Sequence, residues 1–166
     1  MILKELNVSD VTKDYLMWMN DEEVHKYTEQ RYKKHLISDV KKFVRDKKKS
    51  KYEFLYGIFL REKKLKKHIG NIKLGPINWT HKTAIISYFI GRKEMWGKGY
   101  GSLAIKKICI TAKKKGIKKI KAEIYEMNKV SQKVLEKNGF KIEGKLSSGI
   151  IFNNKRYQEH IYGKIL

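Results

Sequence analysis

Tyr88-Phe89-Ile90-Gly91, followed across Arg92–Met95 by Trp96-Gly97-Lys98-Gly99-Tyr100-Gly101-Ser102, is the stretch on which the fold turns. An apolar run ends at Gly91, and a glycine-rich turn then opens a helical pattern. Such a turn presents consecutive backbone N–H groups at a helix N-terminus, and these donors together with the helix dipole bind a phosphate or diphosphate. Glycine suits it because bound groups approach the main chain closely and some turn residues need positive φ. Two other phosphate loops do not match. One residue too many separates Gly91 from Gly97 for a Walker loop, and Gly99 rather than Ser or Thr follows Lys98. A dinucleotide fingerprint wants glycine where Ser102 stands and a parallel βαβ setting, whereas the upstream pattern is a meander.

That meander reads as three strands, Phe54–Leu60, Ile69–Leu74 and Thr83–Ile90, with a charged turn at Arg61–Lys67. Beyond the turn, Leu103–Lys115 carries apolar residues at 103, 105, 108, 109 and 112, a helical stripe, and Gly116 stands where a C-cap glycine belongs. Ile117–Tyr125 predicts a strand. Lys129–Lys137 predicts a helix with Val130, Val134 and Leu135 inward, stopped by Asn138-Gly139. Phe140–Leu146 and Arg156–Ile165 predict two last strands. At the other end, Ile2–Leu6 alternates as a strand, and Ser9-Asp10 can cap a helix from Val11 to Met19. His25–His35 is irregular and polar-aromatic. Ser38 or Asp39 can cap a second helix that carries Val40, Phe43 and Val44 into the Lys47-Lys48-Lys49 run. The order predicts an α/β (α+β) domain over residues 1–166, with a mixed, mostly antiparallel central sheet and helices on both faces.

Composition narrows the function. Lys plus Arg is 39 and Asp plus Glu 17, so the net charge is 39 − 17 = +22. The excess reads either as compositional bias toward lysine and isoleucine or as a cationic rim for an anionic ligand. Arginine, the bidentate reader of bases and phosphates, occurs only at Arg31, Arg45, Arg61, Arg92 and Arg156. The lysines are spread and no nucleic-acid motif is present, so a specific nucleic-acid partner is not expected. The single Cys109 excludes an internal disulfide framework and a cysteine zinc cage, and the histidines have no ligand spacing, so no metal is expected. No long apolar run and no signal-peptide pattern is present, which predicts a cytoplasmic protein without membrane partners.

The second informative stretch is Asn128-Lys129-Val130-Ser131-Gln132-Lys133-Val134-Leu135-Glu136-Lys137-Asn138-Gly139-Phe140. Together with Trp96-x-x-Gly99-x-Gly101, it resembles the RimJ/RimL-like branch of the GNAT N-acetyltransferases. That branch often has Trp ahead of Gly-Lys-Gly. The resemblance runs from Trp18-Met19-Asn20-Asp21 to Tyr157–Leu166 and is strongest over Ala84–Gly144. It implies the GNAT acyl-CoA N-acyltransferase fold, acetyl-CoA as donor, and direct attack of a primary amine on the thioester.

It also implies roles for particular residues. The strand before the loop would splay from its neighbour, with pantetheine along the main chain of Phe89, Ile90 and Gly91 and with Tyr125 opposite. Diphosphate would sit on the amides of Gly97, Lys98, Gly99, Tyr100, Gly101 and Ser102, next to Trp96. A backbone N–H near Ile90 would hold the oxyanion. Most of the family protonates the leaving thiolate from a helix tyrosine. That place is Leu135 here, so the role passes to Ser131, with Asn128 as a coenzyme or water contact. Glu123 is the assigned base, with Glu29 and Glu159 as other candidates. The region that carries a carboxylate in RimL-like enzymes reads Gly149-Ile150-Ile151 here. Tyr27, Glu29, Gln30 and Arg31 would line the acceptor cleft, while Trp18 packs inside. The expected acceptor is an amino-sugar, possibly nucleotide-linked, its phosphates meeting Arg31. A protein N-terminus is the alternative acceptor, and a coenzyme-binding scaffold without turnover the alternative function. Polyamines are disfavoured by the net charge. Dimers are common in the implied fold.

Overall fold

The computed structural model describes residues 1–62 and 65–166. Its strands are β1 (Ile2–Glu5), β2 (Phe54–Glu62), β3 (Leu65–Asn78), β4 (Thr83–Ile90), β5 (Lys119–Tyr125), β6 (Lys141–Phe152) and β7 (Lys155–Ile165). Its helices are α1 (Lys13–Met19), α2 (Glu22–His25), α3 (Ile37–Lys49), α4 (Tyr100–Lys114) and α5 (Lys129–Lys137). One sheet takes the order β1-β2-β3-β4-β5-β7-β6. Every neighbouring pair is antiparallel except β4 and β5.

Alternation along the strands sends side chains to two separate cores. On one face, Ala84 and Ile86 of β4 and Ile120 and Ala122 of β5 join Ala104, Ile105, Ile108 and Ala112 of α4 and Leu135 of α5. On the other, Leu55 and Phe59 of β2 join Tyr15 and Trp18 of α1, Val24 of α2, and Val40 and Val44 of α3. Full burial of one such side chain stabilises the fold by about 1.5–3 kcal/mol, so both helical layers are firmly seated.

Several boundaries differ from the sequence reading, each for a local reason. Thr12, not Ser9-Asp10, caps α1: its Oγ1 accepts the Tyr15 N–H at 3.3 Å. Asp10 instead accepts from Asn7 N–H and Lys4 Nζ in a 3-10 turn over Val8–Asp10. α3 starts at Ile37, and the Asp39 carboxylate receives the Leu36 N–H at 3.1 Å. Glu22–His25, ahead of the stretch read as irregular, forms α2, and that stretch itself holds a 3-10 turn over Glu29–Tyr32, because Asp21 and Thr28 both cap their following amides. β2 reaches Glu62 and β3 starts at Leu65, so both strands extend into the segment Arg61–Lys67 expected as a turn; residues 63 and 64 lie outside the described residues. β5 starts at Lys119, because Ile117 N–H closes the end of α4 on Ala112 O, with Gly116 at φ 84°.

β6 runs on to Phe152 through a register irregularity at Leu146–Ile150, where Ser148 has φ 55°. Ser-Ser-Gly, which looks like a turn, is here a bulge. The real turn is Asn153-Asn154, both at positive φ (48° and 60°), as a two-residue hairpin loop requires. Val130, expected to face inward, is 76% exposed.

Candidate active site

β4 and β5 share only the pairs Thr83↔Lys119, Ala84↔Ile120 and Ile85↔Lys121. β4 continues to Ile90, held to β3 as far as Gly70↔Ile90, and β5 continues to Tyr125, held to β7 by Tyr125↔Glu159. Each strand therefore stays bound on its outer side while their facing edges part after Ile85 and Lys121. The Gly91 N–H donates to Ile69 O at 2.8 Å across β3. By alternation, the N–H of Ile90 points the other way, into the gap.

At the mouth of that gap lies the glycine turn. Gly97 and Gly99 hold φ of 71° and 79°, and a Cβ on either would meet nothing within 4 Å. Backbone conformation and open space in front of the turn, not crowding, are what glycine supplies there. Among the described residues, the N–H groups of Gly97 through Ser102 have no backbone acceptor, and the next amide, Leu103, bonds Gly99 O. Neither α4 nor α5 has an acidic residue in its first turn, so the positive ends of both helix dipoles stand unopposed. Trp96 anchors the turn: its Nε1–H donates to the Ile90 carbonyl at 2.8 Å. Gly91 is fixed by packing, because a Cβ there would lie 2.2 Å from the Trp18 ring. Trp18 is thus a core residue, as expected.

On the helix side of the gap, Asn128 is the N-cap of α5, its Oδ1 accepting the Ser131 N–H at 3.2 Å. This gives Asn128 a local structural task that the sequence reading did not foresee. Ser131 is only 8% exposed, and its Oγ lies 3.1 Å from the Tyr88 hydroxyl. Burial pushes the Tyr88 phenol above its ordinary pKa, against the Ser131 bond. Leu135 is wholly buried among α4 and β-strand side chains. The sequence reading assigns Tyr88 no role. The available signal was its place between Ile86 and Ile90 on an inward face, where a phenol needs a polar partner.

On the opposite face opens a cleft of about 620 Å³, lined by Tyr27, Glu29, Gln30, Ser87, Phe89, Glu123, Tyr125 and Glu159 among others. The three carboxylates proposed separately as bases meet here. Tyr125, on the same face of β5 as Glu123, sits beside Glu159 on β7 and donates its hydroxyl to Glu29. Burial and then the Glu29 bond push the Tyr125 phenol up to about 12, with Arg31 opposing. Burial, and then the nearby Glu123 and Glu29, raise the Glu159 carboxyl above its ordinary value.

Arg31 is placed differently from the sequence expectation. Its guanidinium donates to Tyr125 Oη at 2.8 Å, Thr28 O at 3.1 Å and Ile151 O at 3.0 Å, bonds the Tyr32 hydroxyl, and does not line the cleft. It straps the 3-10 turn to β6 and aims Tyr125 at Glu29, and so has no free edge for a substrate phosphate. His25 and Asn71, both 2% exposed, line the same cleft, and His25 Nε2 and Asn71 Nδ2 find no partner among the described residues.

Among the described residues, no group of three or more His, Cys, Asp or Glu side chains is placed to hold a metal, and no helix is long and apolar enough to cross a membrane.

No curated protein matches the chain by sequence. Solved structures resemble it over nearly its full length. A RimL ribosomal L7/L12 alpha-N-protein acetyltransferase in complex with coenzyme A superposes with a TM-score of 0.87 at 19% identity, covering 99% of this chain and 93% of that one. The spermidine N-acetyltransferase of Vibrio cholerae with CoA and spermine gives 0.86 at 18%, covering 99% and 94%. The microcin C7 self-immunity acetyltransferase MccE with acetyl-CoA and AMP gives 0.81 at 23%, covering 99% and 91%. At such identities these likenesses show the fold. Residues 1–141 match the model of the acetyltransferase (GNAT) domain, and the chain belongs to that family, as an N-acetyltransferase of the GNAT fold.

Proposed function

We propose that the protein transfers the acetyl group of acetyl-CoA to a cationic primary amine, with the coenzyme on the α4–α5 face and the amine in the carboxylate cleft. The observation that carries the acceptor class is the convergence of Glu29, Glu123 and Glu159 on one cleft of a chain whose net charge is +22. The Glu159 carboxyl, whose proton affinity is raised by burial and by the neighbouring carboxylates, is relieved by an ammonium group. The net charge, which argued against polyamines, is a long-range quantity that salt screens within about 8–10 Å. An amine inside the cleft meets the local carboxylates first. The same three groups would oppose a nucleotide diphosphate, Arg31 is committed elsewhere, and of the lysines Lys33 and Lys73 that also line the cleft the latter is paired with Glu53, so the cleft favours an ammonium over the amino-sugar expectation.

The coenzyme half fits its ligand. The amides of Gly97 to Ser102 and Lys98 would hold the diphosphate, and the free edge of β4 at Phe89–Gly91 would pair with pantetheine as an added strand does. When bound, acetyl-CoA supplies an activated thioester. The protein's own groups do the rest. The cluster around Glu159 takes the ammonium proton and leaves a neutral nucleophile. The Ile90 N–H, aimed into the gap, stabilises the tetrahedral oxyanion. Ser131, beside Tyr88 on the helix side of the gap, would donate to the sulfur as it leaves.

The test is thiol release from acetyl-CoA against spermidine, spermine and diaminoalkanes, beside N-terminal peptides and UDP-amino-sugars. Turnover of the polycations is expected at a kcat/KM at least tenfold above the others. Preference for peptides would move the acceptor to protein N-termini, and turnover of amino-sugars alone would overturn the reading.

A further inference from the structure

A polar link joins the parted half of β4 to α5: Tyr88 Oη lies 3.1 Å from Ser131 Oγ. Tyr88 lies on the half of β4 that has left β5, and Ser131 lies in the first turn of α5. The tyrosine ring also packs against the coenzyme turn, since a Cβ on Gly101 would come within 3.1 Å of its Cε2. One side chain thus touches the β4 edge, the glycine turn and the serine.

We propose that Tyr88 is a positioning residue for acetyl transfer, orienting the Ser131 hydroxyl so that its proton faces the sulfur leaving group. This rests on the acetyltransferase reading above and extends it to a residue on the strand opposite the helix.

The direction of the bond follows from acidity. A phenol is a far stronger donor than an alkyl hydroxyl, so Tyr88 donates and Ser131 Oγ accepts. The Ser131 N–H is occupied by Asn128 Oδ1. With its lone pair fixed by Tyr88, the serine O–H is the group left to point into the gap. Burial keeps the Tyr88 phenol protonated above its usual range, so the donor persists throughout the working pH. Leu135 provides no polar atom from the next turn of α5. In the step itself, the N–C bond forms as the C–S bond breaks and the bonding pair leaves on sulfur. The Ser131 hydrogen bond meets that developing charge. The proton lost by the attacking nitrogen goes to the carboxylates and solvent, and solvent returns one to the thiolate.

Tyr88→Phe removes one oxygen and leaves the ring against Gly101. Thiol release is read with the best amine and, separately, with hydroxylamine as a small nucleophile that needs no acceptor cleft. Tyr88→Phe should lower kcat at least tenfold with both nucleophiles, leave the KM for acetyl-CoA within twofold, and hold the melting temperature within about 2 °C. Ser131→Ala should do the same, and the double variant should be no slower than the worse single one, because the two hydroxyls act as one unit. A Tyr88→Phe enzyme within twofold of the parent kcat, or losses that multiply in the double variant, would overturn the proposal. If the parent protein releases thiol with hydroxylamine but with no amine of the panel, the acceptor reading fails while Tyr88 is still tested. If it releases none with either, the acetyltransferase reading falls and this inference with it.

Discussion

On the side of the sheet covered by α4 and α5, the proposed coenzyme site is made of main chain. Its donors are the consecutive amides of Gly97 to Ser102 and the free edge of β4, and its glycines serve backbone geometry. On the other side it is made of side chains. Glu29 comes from a 3-10 turn, Glu123 from β5 and Glu159 from β7, aligned by the Arg31–Tyr125–Glu29 chain. A coenzyme common to many acceptors can be met by a backbone pattern that is short and local in sequence. An acceptor that varies is met by side chains that can be exchanged without touching that pattern. Substitutions should therefore divide into two classes with opposite kinetic signatures.

The largest effect should come from the backbone half. Gly99→Asn keeps a residue type that visits the left-handed region, and its Cβ would enter space with no atom within 4 Å. The fold should tolerate it, with a melting temperature lowered by only a few degrees. The side chain would stand where the diphosphate approaches the amides, and displacement of that scale costs roughly 100-fold in turnover. We expect kcat/KM for acetyl-CoA to fall by at least that much and the acetyl-CoA-induced rise in melting temperature to vanish. A variant that keeps this rise would break the assignment of the turn.

The acceptor half should respond less and elsewhere. Neutralising one carboxylate at a partly screened surface forfeits about 1–2 kcal/mol of attraction for a cation, roughly tenfold in affinity. Glu123→Gln and Glu29→Gln should each raise the KM for a polycationic amine by about that factor. Acetyl-CoA binding should stay unchanged, and the difference from the parent should shrink in high salt. Equal loss of affinity for both ligands would erase the distinction between the faces.

The backbone half was legible because its signal lies in adjacent residues. Trp96 and the spaced glycines stand in the turn read for them and Gly116 ends α4, whereas the capping of α5 by Asn128 was not read from sequence. The side-chain half was visible only as fragments. Glu29 is tied by the Tyr125 hydroxyl to the face of β5 that carries Glu123, and Glu159 joins them through the Tyr125↔Glu159 pair, which no local pattern encodes. Period-two counting does put Lys121, Glu123 and Tyr125 on one face of β5, but the β5–β7 register is needed to add Glu159. Arg31 was misread for the same reason. Its fork looked free in sequence and is filled in the fold by carbonyls and hydroxyls, one of them Ile151 O at 3.0 Å, far along the chain. The Tyr88–Ser131 link likewise joins a strand to a helix beside a gap that only the three-pair β4–β5 register reveals.

A smaller effect concerns the pH profile. Glu159 must be ionised to take a proton, and its pKa is raised first by burial and then by Glu123 and Glu29. The acid limb of kcat/KM should therefore lie above the usual glutamate range. Removing the Glu123 charge makes the Glu159 carboxylate easier to form, so Glu123→Gln should move that limb to lower pH, opposite to what loss of a base would do. A limb that stays in place would assign the proton to another group.

The smallest effect separates the two halves by stability. His25 holds the acceptor segment through Nδ1 to Thr28 Oγ1 at 2.9 Å and is 2% exposed, and burial lowers its pKa to about 4. The unfolded chain binds a proton near pH 6.5, and the folded chain does so only near 4. The stability that neutral His25 contributes is complete above about 6.5 and lost as the pH falls toward 4, with a slope of about 1.4 kcal/mol per unit. His25→Asn can keep a bond to Thr28 without titrating. Urea melts at pH 7 and pH 5 should show the parent losing about 2 kcal/mol more than this variant. If both lose equally, the acid sensitivity belongs to other groups and His25 is only a packing residue beside Phe89. Binding of acetyl-CoA, whose own phosphate titrates alike with both proteins, should change between the two pH values by the same factor in the parent and in His25→Asn.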